Sequence, residues 1–214
     1  NKRKTLMSQV CIIDYGMGNI HSVAKALNKV SSRNDKIKIV TSLKEIDSSD
    51  KIVFPGQGAA QSCINNLNNN YDIEELKTII MKKPFLGICM GLQVLMSYSD
   101  EDNTKCLDIF AGSVNRISSS NEEKIKLPHM GWSKVNYVRE DPIWNSIQNN
   151  SYFYFVHSYY VSTENSDVIM SYTDYGSRFV SSLQKDNIIA VQFHPEKSSN
   201  DGLKFLRNFI DWRI

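Results

Sequence analysis

This sequence predicts an α/β fold: one domain with a mostly parallel central sheet flanked by helices and an antiparallel meander in its second half. Three observations carry that expectation. Near-continuous apolar runs at residues 10–13 (VCII), 51–54 (KIVF) and 85–88 (FLGI) suit central strands covered on both faces. Helical patterns stand between these runs, so strand and helix alternate as βαβ units do. Beyond residue 150 the rhythm changes, and aromatic or β-branched runs at 151–161, 167–172, 178–184 and 188–193 follow one another as a meander does.

A chain of 214 residues is long enough for one substantial core. The domain is expected over residues 8–214, with residues 1–7 a candidate for a disordered tail. The Lys2, Arg3, Lys4 cluster is followed by no apolar signal core, and no apolar run approaches bilayer length. A formal net charge of +2 is too small to argue for nucleic acid. The four cysteines, at 11, 63, 89 and 106, make no CxxC pair and no zinc or disulfide framework, so neither a metal nor a cofactor is expected. That usage fits a reducing cytosol and a cytoplasmic protein without nucleic-acid or membrane partners.

Taken in order, residues 10–13 form the first strand, and DYGMGN then turns the chain into a helix carrying Val23, Ala24, Ala26, Leu27 and Val30. Gly16 and Gly18 have the spacing that opens a dinucleotide fingerprint, but His21 stands where the third glycine belongs, so a tight turn is expected instead. The pattern leaves the direction of His21 open. Strands follow at 37–40 and 51–54, with one brief helix between them. PGQGAAQS, residues 55–62, is a glycine-rich loop running into a helix; it reads either as a simple turn or as a loop whose bare amides hold an oxyanion or a carboxylate.

Residues 65–70 read as an asparagine-rich connector, and 72–81 as an amphipathic helix with Ile73, Leu76, Ile79 and Ile80 on one side. After the strand at 85–88, residues 90–96 continue as good helix formers. Residues 97–105 are polar and expected at the surface, and short strands are expected at 114–117 and 125–127 around a loop at 118–121. LPHMGWSKV, residues 127–135, clusters His129, Met130 and Trp132 around Gly131, as a covered surface would; packing of Trp132 on its own domain is the competing reading. Residues 198–214 close the chain as a helix carrying Leu203, Leu206, Phe209 and Ile210.

Two stretches carry chemistry. In PFLGICMGLQ, residues 84–93, a buried strand turns into a helix within about two residues, with Cys89 at the apex and Gly87 and Gly91 beside it. This is a nucleophile-elbow pattern with Cys in place of Ser. The helix start favours thiolate, and the amide of Met90 faces any oxyanion formed on a carbonyl that Cys89 attacks. Cys11 and Cys63 lie in strand and helix patterns as packing residues, and Cys106 has no assigned place. The second stretch is IIAVQFHPEK, residues 188–197: positions two apart in an extended segment share a side, so His194 and Glu196 project together across Pro195. A nucleophilic cysteine needs such a base, and the base needs a carboxylate to orient it. His129 and His157 compete for the role but have no neighbouring carboxylate in sequence.

GICMGLQ and the downstream HPE, preceded by PGQG, resemble the class I, triad-type glutamine amidotransferase family, whose fold is flavodoxin-like. DYGMGNIHSV at 14–23, HMGW at 129–132, FVHSYY at 155–160 and VQFHPEKS at 191–198 extend the resemblance over nearly the whole chain, toward the glutaminase subunits that supply a (β/α)8-barrel cyclase. The resemblance implies that Cys89 attacks the side-chain amide of glutamine, that His194 is the acid/base and that Glu196 orients it. It further implies that Gly56 and Gly58, with the amide of Met90, surround the oxyanion and that Gln93 holds the substrate. Each lost oxyanion donor would then cost roughly 3 kcal/mol of barrier. Where many relatives have Val between those glycines this chain has Gln57, a small departure because backbone does the work.

The family's ammonia passes to the cyclase subunit, in a heterodimer that makes imidazole glycerol phosphate and an aminoimidazole carboxamide ribotide for histidine synthesis. Asn19, Trp132 and Tyr154 are the docking residues this implies. The rival readings are a paralogous amidotransferase serving another synthase, such as one amidating surface sugars, a free-standing γ-glutamyl peptidase, and an idle scaffold subunit. Intact Cys89, His194 and Glu196 argue against the scaffold.

Overall fold

The computed structural model describes residues 8–118 and 125–214. The tail expected at residues 1–7 and positions 119–121 of the expected loop lie outside the described residues. Thirteen strands among the described residues join one sheet. They are β1 (Ser8–Ile13), β2 (Asp35–Val40), β3 (Lys51–Gly56), β4 (Phe85–Cys89), β5 (Met96–Ser99), β6 (Thr104–Lys105), β7 (Phe110–Arg116), β8 (His129–Tyr137), β9 (Ser151–His157), β10 (Tyr159–Ser162), β11 (Ile169–Tyr175), β12 (Ser177–Lys185) and β13 (Ile188–Val191). The helices are α1 (Ile20–Val30), α2 (Leu43–Ser48), α3 (Ala60–Asn70), α4 (Ile73–Ile80), α5 (Met90–Gln93) and α6 (Ser199–Asp211).

The order β2-β1-β3-β4-β13 is parallel throughout, and from β12 the sheet continues with antiparallel neighbours except for β7 and β5, which pair parallel. Every residue of β3, β4 and β13 is buried, as their apolar sequences require of strands covered on both faces, whereas β2 at the edge alternates. Successive side chains point to opposite faces. Val10 and Ile12 therefore join Leu27, Phe205 and Phe209 of α1 and α6 on one side, while Cys11 and Ile13 join Leu67, Leu76 and Ile79 of α3 and α4 on the other. Each phenylalanine fully buried this way contributes about 1.5–3 kcal/mol.

Five details differ from the sequence expectation. Residues 65–70 are the last turns of α3, not a connector: Ala60, Cys63 and Leu67 are buried at helical spacing, and Asn65, Asn68, Asn69 and Asn70 occupy its exposed side. Packing of that stripe overrides the weak propensity of asparagine. The helix after Cys89 is one turn long, because the chain at Val94 and Leu95 turns its carbonyls to Leu107, Ile109 and Phe110 and enters β5. Residues 97–105 are not simply surface: Ser99 and Thr104 are fully buried, with Ser99 Oγ accepting from the Glu101 amide (3.2 Å) and Thr104 Oγ1 donating to the Glu101 carbonyl (2.8 Å). Local partners make their burial tolerable. No strand forms at 125–127, since Pro128 lacks the N–H a ladder needs and the strand begins at His129. Residues 151–161 divide at Ser158, where the chain leaves its pairing with β8 and begins to pair with β7.

Candidate active site

Three parallel strands end side by side: in the register, Gly56 of β3 lies opposite Cys89, and Val191 of β13 lies opposite Ile88. The glycine-rich loop, the elbow and the HPE turn therefore leave the sheet at one edge, the carboxyl edge where α/β folds hold ligands.

Cys89 has φ 56° and ψ −107°, a conformation L residues rarely adopt and one that costs about 1–3 kcal/mol. The flanking glycines are required by close approach. A Cβ on Gly91 would stand 2.1 Å from the Phe54 carbonyl oxygen, and one on Gly87 would stand 2.5 Å from the Gly91 carbonyl oxygen. The first amides of α5 have no partner within the helix, and Met90 is the first of them. Because α5 is a single turn, these local amides matter more than a helix dipole.

His194 is itself extended (φ −102°, ψ 95°), but the extended segment stops there. Pro195–Lys197 form a 3-10 turn, which brings Glu196 round so that His194 Nδ1 and Glu196 Oε1 are 2.8 Å apart. Both side chains are almost wholly buried, at 2% and 1% exposure. The turn is anchored by the His194 amide donating to Tyr154 O (2.8 Å) and by Ser198 Oγ donating to His194 O (2.6 Å). Beneath it Phe153, Phe193, Phe205 and Trp144 pack ring on ring, with Phe153 and Phe193 centroids 4.4 Å apart. Burial disfavours the imidazolium of His194, but the Cys89 sulfur and the Glu196 carboxylate outweigh it and push its pKa up to about 10. His194 Nε2 has no hydrogen-bond partner among the described residues.

Cys89 and His194 face one cavity of about 380 Å³, whose wall also includes Gln57, Gly58, Met90, Gln93, Glu101, Pro128, Val156, His157, Ser158, Tyr159 and Lys197. Gly56 is not in the wall; it packs beneath, where a Cβ would stand 2.7 Å from Met90 Cβ and 2.8 Å from the Tyr15 hydroxyl. Gly58, at φ 89°, does line it. Gln93 is buried, with Nε2 donating to Tyr159 O and to Gln192 Oε1 (both 3.0 Å), while its Oε1 has no partner among the described residues. Gln192 in turn donates from Nε2 to Cys89 Sγ at 3.6 Å.

Of the predicted docking residues, Trp132 is half exposed, and its ring meets that of Tyr154 edge-on at 6.0 Å. Asn19 stands at the start of α1 beside Gly18, which packs on Pro55 and Gly56. None of the three lines the cavity. His129 and His157 are not alternative bases for the thiol: they hydrogen-bond each other, and burial pushes them down to about 4 and about 3. His21 faces solvent. Sequence reasoning missed Glu101, Gln192 and the Ser158–Tyr159 backbone. Glu101 sits in a 3-10 turn, and its Oε2 accepts from the Ala60 amide (2.8 Å), a contact with no local sequence signal. Among the described residues no three His, Cys, Asp or Glu side chains are grouped to hold a metal ion.

The arrangement can perform acyl transfer: a strained, presented thiol, a carboxylate-bound imidazole and backbone amides surround a space suited to a small molecule. The family model described as glutamine amidotransferase class-I matches residues 11–212. The chain is 46% identical over 204 residues to an imidazole glycerol phosphate synthase subunit HisH of Hydrogenovibrio crunogenus, covering 95% of this chain and 96% of that one. It is 45% identical over 208 residues to the protein of the same name from Nitrosococcus oceani, covering 96% and 98%. A solved glutamine amidotransferase superposes with TM-score 0.70 at 13% identity, over 94% of this chain and 97% of that one. A glutamine amidotransferase of Thermotoga maritima superposes with TM-score 0.58 at 16% identity, over 89% and 76%. At those identities the two structures speak to the fold alone.

Proposed function

The chain belongs to the class-I glutamine amidotransferase family, and from that membership we propose that it is the glutaminase subunit of an imidazole glycerol phosphate synthase. It releases ammonia from glutamine for a (β/α)8-barrel cyclase subunit in histidine biosynthesis. The observation that carries this reading is the Cys89–His194–Glu196 constellation: a thiol held at positive φ where a strand ends, sharing one cavity with an imidazole fixed by a buried carboxylate.

In the reaction, Cys89 Sγ adds to the side-chain carbonyl carbon of glutamine, its proton having passed to His194 Nε2. The amides of Met90 and the 56–58 loop receive the developing oxyanion. As the tetrahedral intermediate collapses, His194 returns the proton to the leaving nitrogen, and ammonia departs from a γ-glutamyl thioester. Water then attacks the thioester, giving its proton to His194, and glutamate leaves as the thiol is re-formed. Glu196 holds the imidazole orientation and stabilises imidazolium throughout. Glu101, a carboxylate in the cavity wall, suits the α-ammonium of glutamine, and Gln93 lines the same cavity.

The names of the relatives describe subunits, which supports a partner. Met130 and Trp132, 62% and 50% exposed on β8, with Tyr154 behind them, support docking there. No helix among the described residues is long and apolar enough to cross a membrane. The test is glutamate release from glutamine by the chain alone and then with the cyclase subunit and its ribonucleotide ligand, with Cys89→Ala as the blank. A partner-dependent rise abolished by the mutation is expected. High activity without partner would instead indicate a free-standing hydrolase.

A further inference from the structure

The two buried histidines excluded as bases remain unexplained. His157 Nδ1 lies 2.8 Å from the Tyr159 carbonyl oxygen, which only accepts, so Nδ1 carries the proton of the neutral ring and Nε2 is left as an acceptor. His129 Nδ1, 3.0 Å from that Nε2, must then be a donor. The remaining His129 Nε2 accepts from Ser133 Oγ at 2.9 Å. With both rings neutral, one assignment of protons satisfies all three contacts.

A second arm reaches the same carbonyl from the other side. Tyr159 O also accepts from Gln93 Nε2, whose amide donates as well to Gln192, which donates to Cys89 Sγ. The carbonyl thus uses both lone pairs, and its demand for a donor fixes which way the Gln93 amide is turned, leaving Oε1 buried and without a partner among the described residues. Ser133, at the outer end, follows the exposed Trp132 on β8 and lines a surface groove of about 520 Å³ with it. His129 is stacked between Phe155 (5.0 Å) and Tyr175 (3.9 Å), which holds its ring against rotation.

We propose that His129 and His157 are positioning residues: a neutral, proton-ordered pair that fixes the Tyr159 carbonyl and, through Gln93 and Gln192, ties the Trp132 face to the glutamine pocket and the Cys89 sulfur. The consequence for activity rests on the glutaminase reading above; the proton order does not. Burial of both rings, with the His194 charge facing His157, keeps them uncharged at neutral pH.

The test has two arms. Nitrogen-15 NMR of the histidine side chains in the full chain at neutral pH should show Nδ1–H and a bare Nε2 on both rings. An Nε2–H tautomer or an imidazolium on either would overturn the proposal. In the presence of the cyclase subunit, His129→Phe keeps the ring stack but removes both hydrogen bonds, leaving His157 Nε2 buried and unpaired. It should raise the glutamine KM about tenfold with a smaller change in kcat, and His129→Gln, which has both a donor and an acceptor, should recover most of the loss. A native KM in the Phe variant, or equal loss in both variants, would also overturn it. Should the Phe variant not fold, His129→Gln must still leave His157 with Nδ1–H. Failure of the native chain to release glutamate would count against the glutaminase reading, and the tautomer spectrum would still decide the pair.

Discussion

Replacing Glu196 with Gln keeps shape and removes charge at one buried contact. His194 Nδ1 and Glu196 Oε1 are 2.8 Å apart and both side chains are almost free of solvent, so water cannot substitute for the lost carboxylate. A charge-assisted hydrogen bond is worth about 1.5–3 kcal/mol, which alone is roughly a ten- to hundredfold effect on a step that forms imidazolium. The amide adds a second loss. Its N–H can donate to Nδ1, placing the ring proton on Nε2, where it cannot accept the proton of Cys89. In Ser-His-Asp enzymes the corresponding exchange costs about 10⁴ in kcat. Glu196→Gln should therefore lower kcat by about 10²–10⁴ while leaving the glutamine KM nearly unchanged, because Glu196 does not line the cavity. The assay is glutamate release with the cyclase subunit present, with a thermal melt to verify folding. A folded variant with kcat within about threefold of native would refute the orienting role.

Further consequences follow from the same geometry. In Cys89→Ala the sulfur that helps raise His194 is gone, so an NMR titration should place the imidazole midpoint below that of the native chain; an unchanged midpoint would contradict the coupling. Since the folded pKa of His194 exceeds the unfolded value of about 6.5, its stabilising contribution is complete below that pH and is lost as pH rises through about 10. The stability gap between native and His194→Gln chains in denaturant should accordingly narrow from about pH 6 to about pH 10. Gly91→Ala forces a Cβ to 2.1 Å from the Phe54 carbonyl oxygen and should cost at least about 1–3 kcal/mol in urea unfolding. Gly16→Ala meets open space and pays only for φ 87°, about 1–2 kcal/mol. Trp132→Ala, at a half-exposed position, should leave the melting temperature of the isolated chain nearly unchanged and weaken binding of the cyclase subunit, measured by titration calorimetry.

The parts of the site that were legible in the sequence are those built by local chain geometry. Gly87, Cys89 and Gly91 announce a strand turning sharply, and His194 with Glu196 announce a base beside its carboxylate, although a 3-10 turn rather than an extended segment joins them. Glu101, Gln192 and the Tyr159 carbonyl were not legible, because Glu101 and Tyr159 reach the cavity, and Gln192 the Cys89 sulfur, through pairing of distant elements. Glu101 arrives by bonding the start of α3, and Gln192 by following β13 against β4. The histidine pair depends on the β8–β9 register, which sets His129 directly opposite His157. Burial misled in the other direction at Ser99 and Thr104, whose polar side chains find partners within a few residues and so enter the interior. Asparagines at 65–70 read as a break because propensity is local, whereas the stripe of Cys63 and Leu67 packs on the sheet.

Cys89 as the nucleophile of a glutamine pocket is the central claim, and an electrophilic glutamine analogue such as its chloroketone tests it most directly by intact-mass and peptide mass spectrometry. Cys11, Cys63 and Cys106 are buried, with pKa values pushed up by burial to about 11, about 12 and about 11, so they are poor competitors. One adduct per chain is expected, on Cys89, absent in Cys89→Ala, slowed in His194→Gln and prevented by excess glutamine. Labelling of another cysteine, or labelling of Cys89 that glutamine does not block, would contradict the claim.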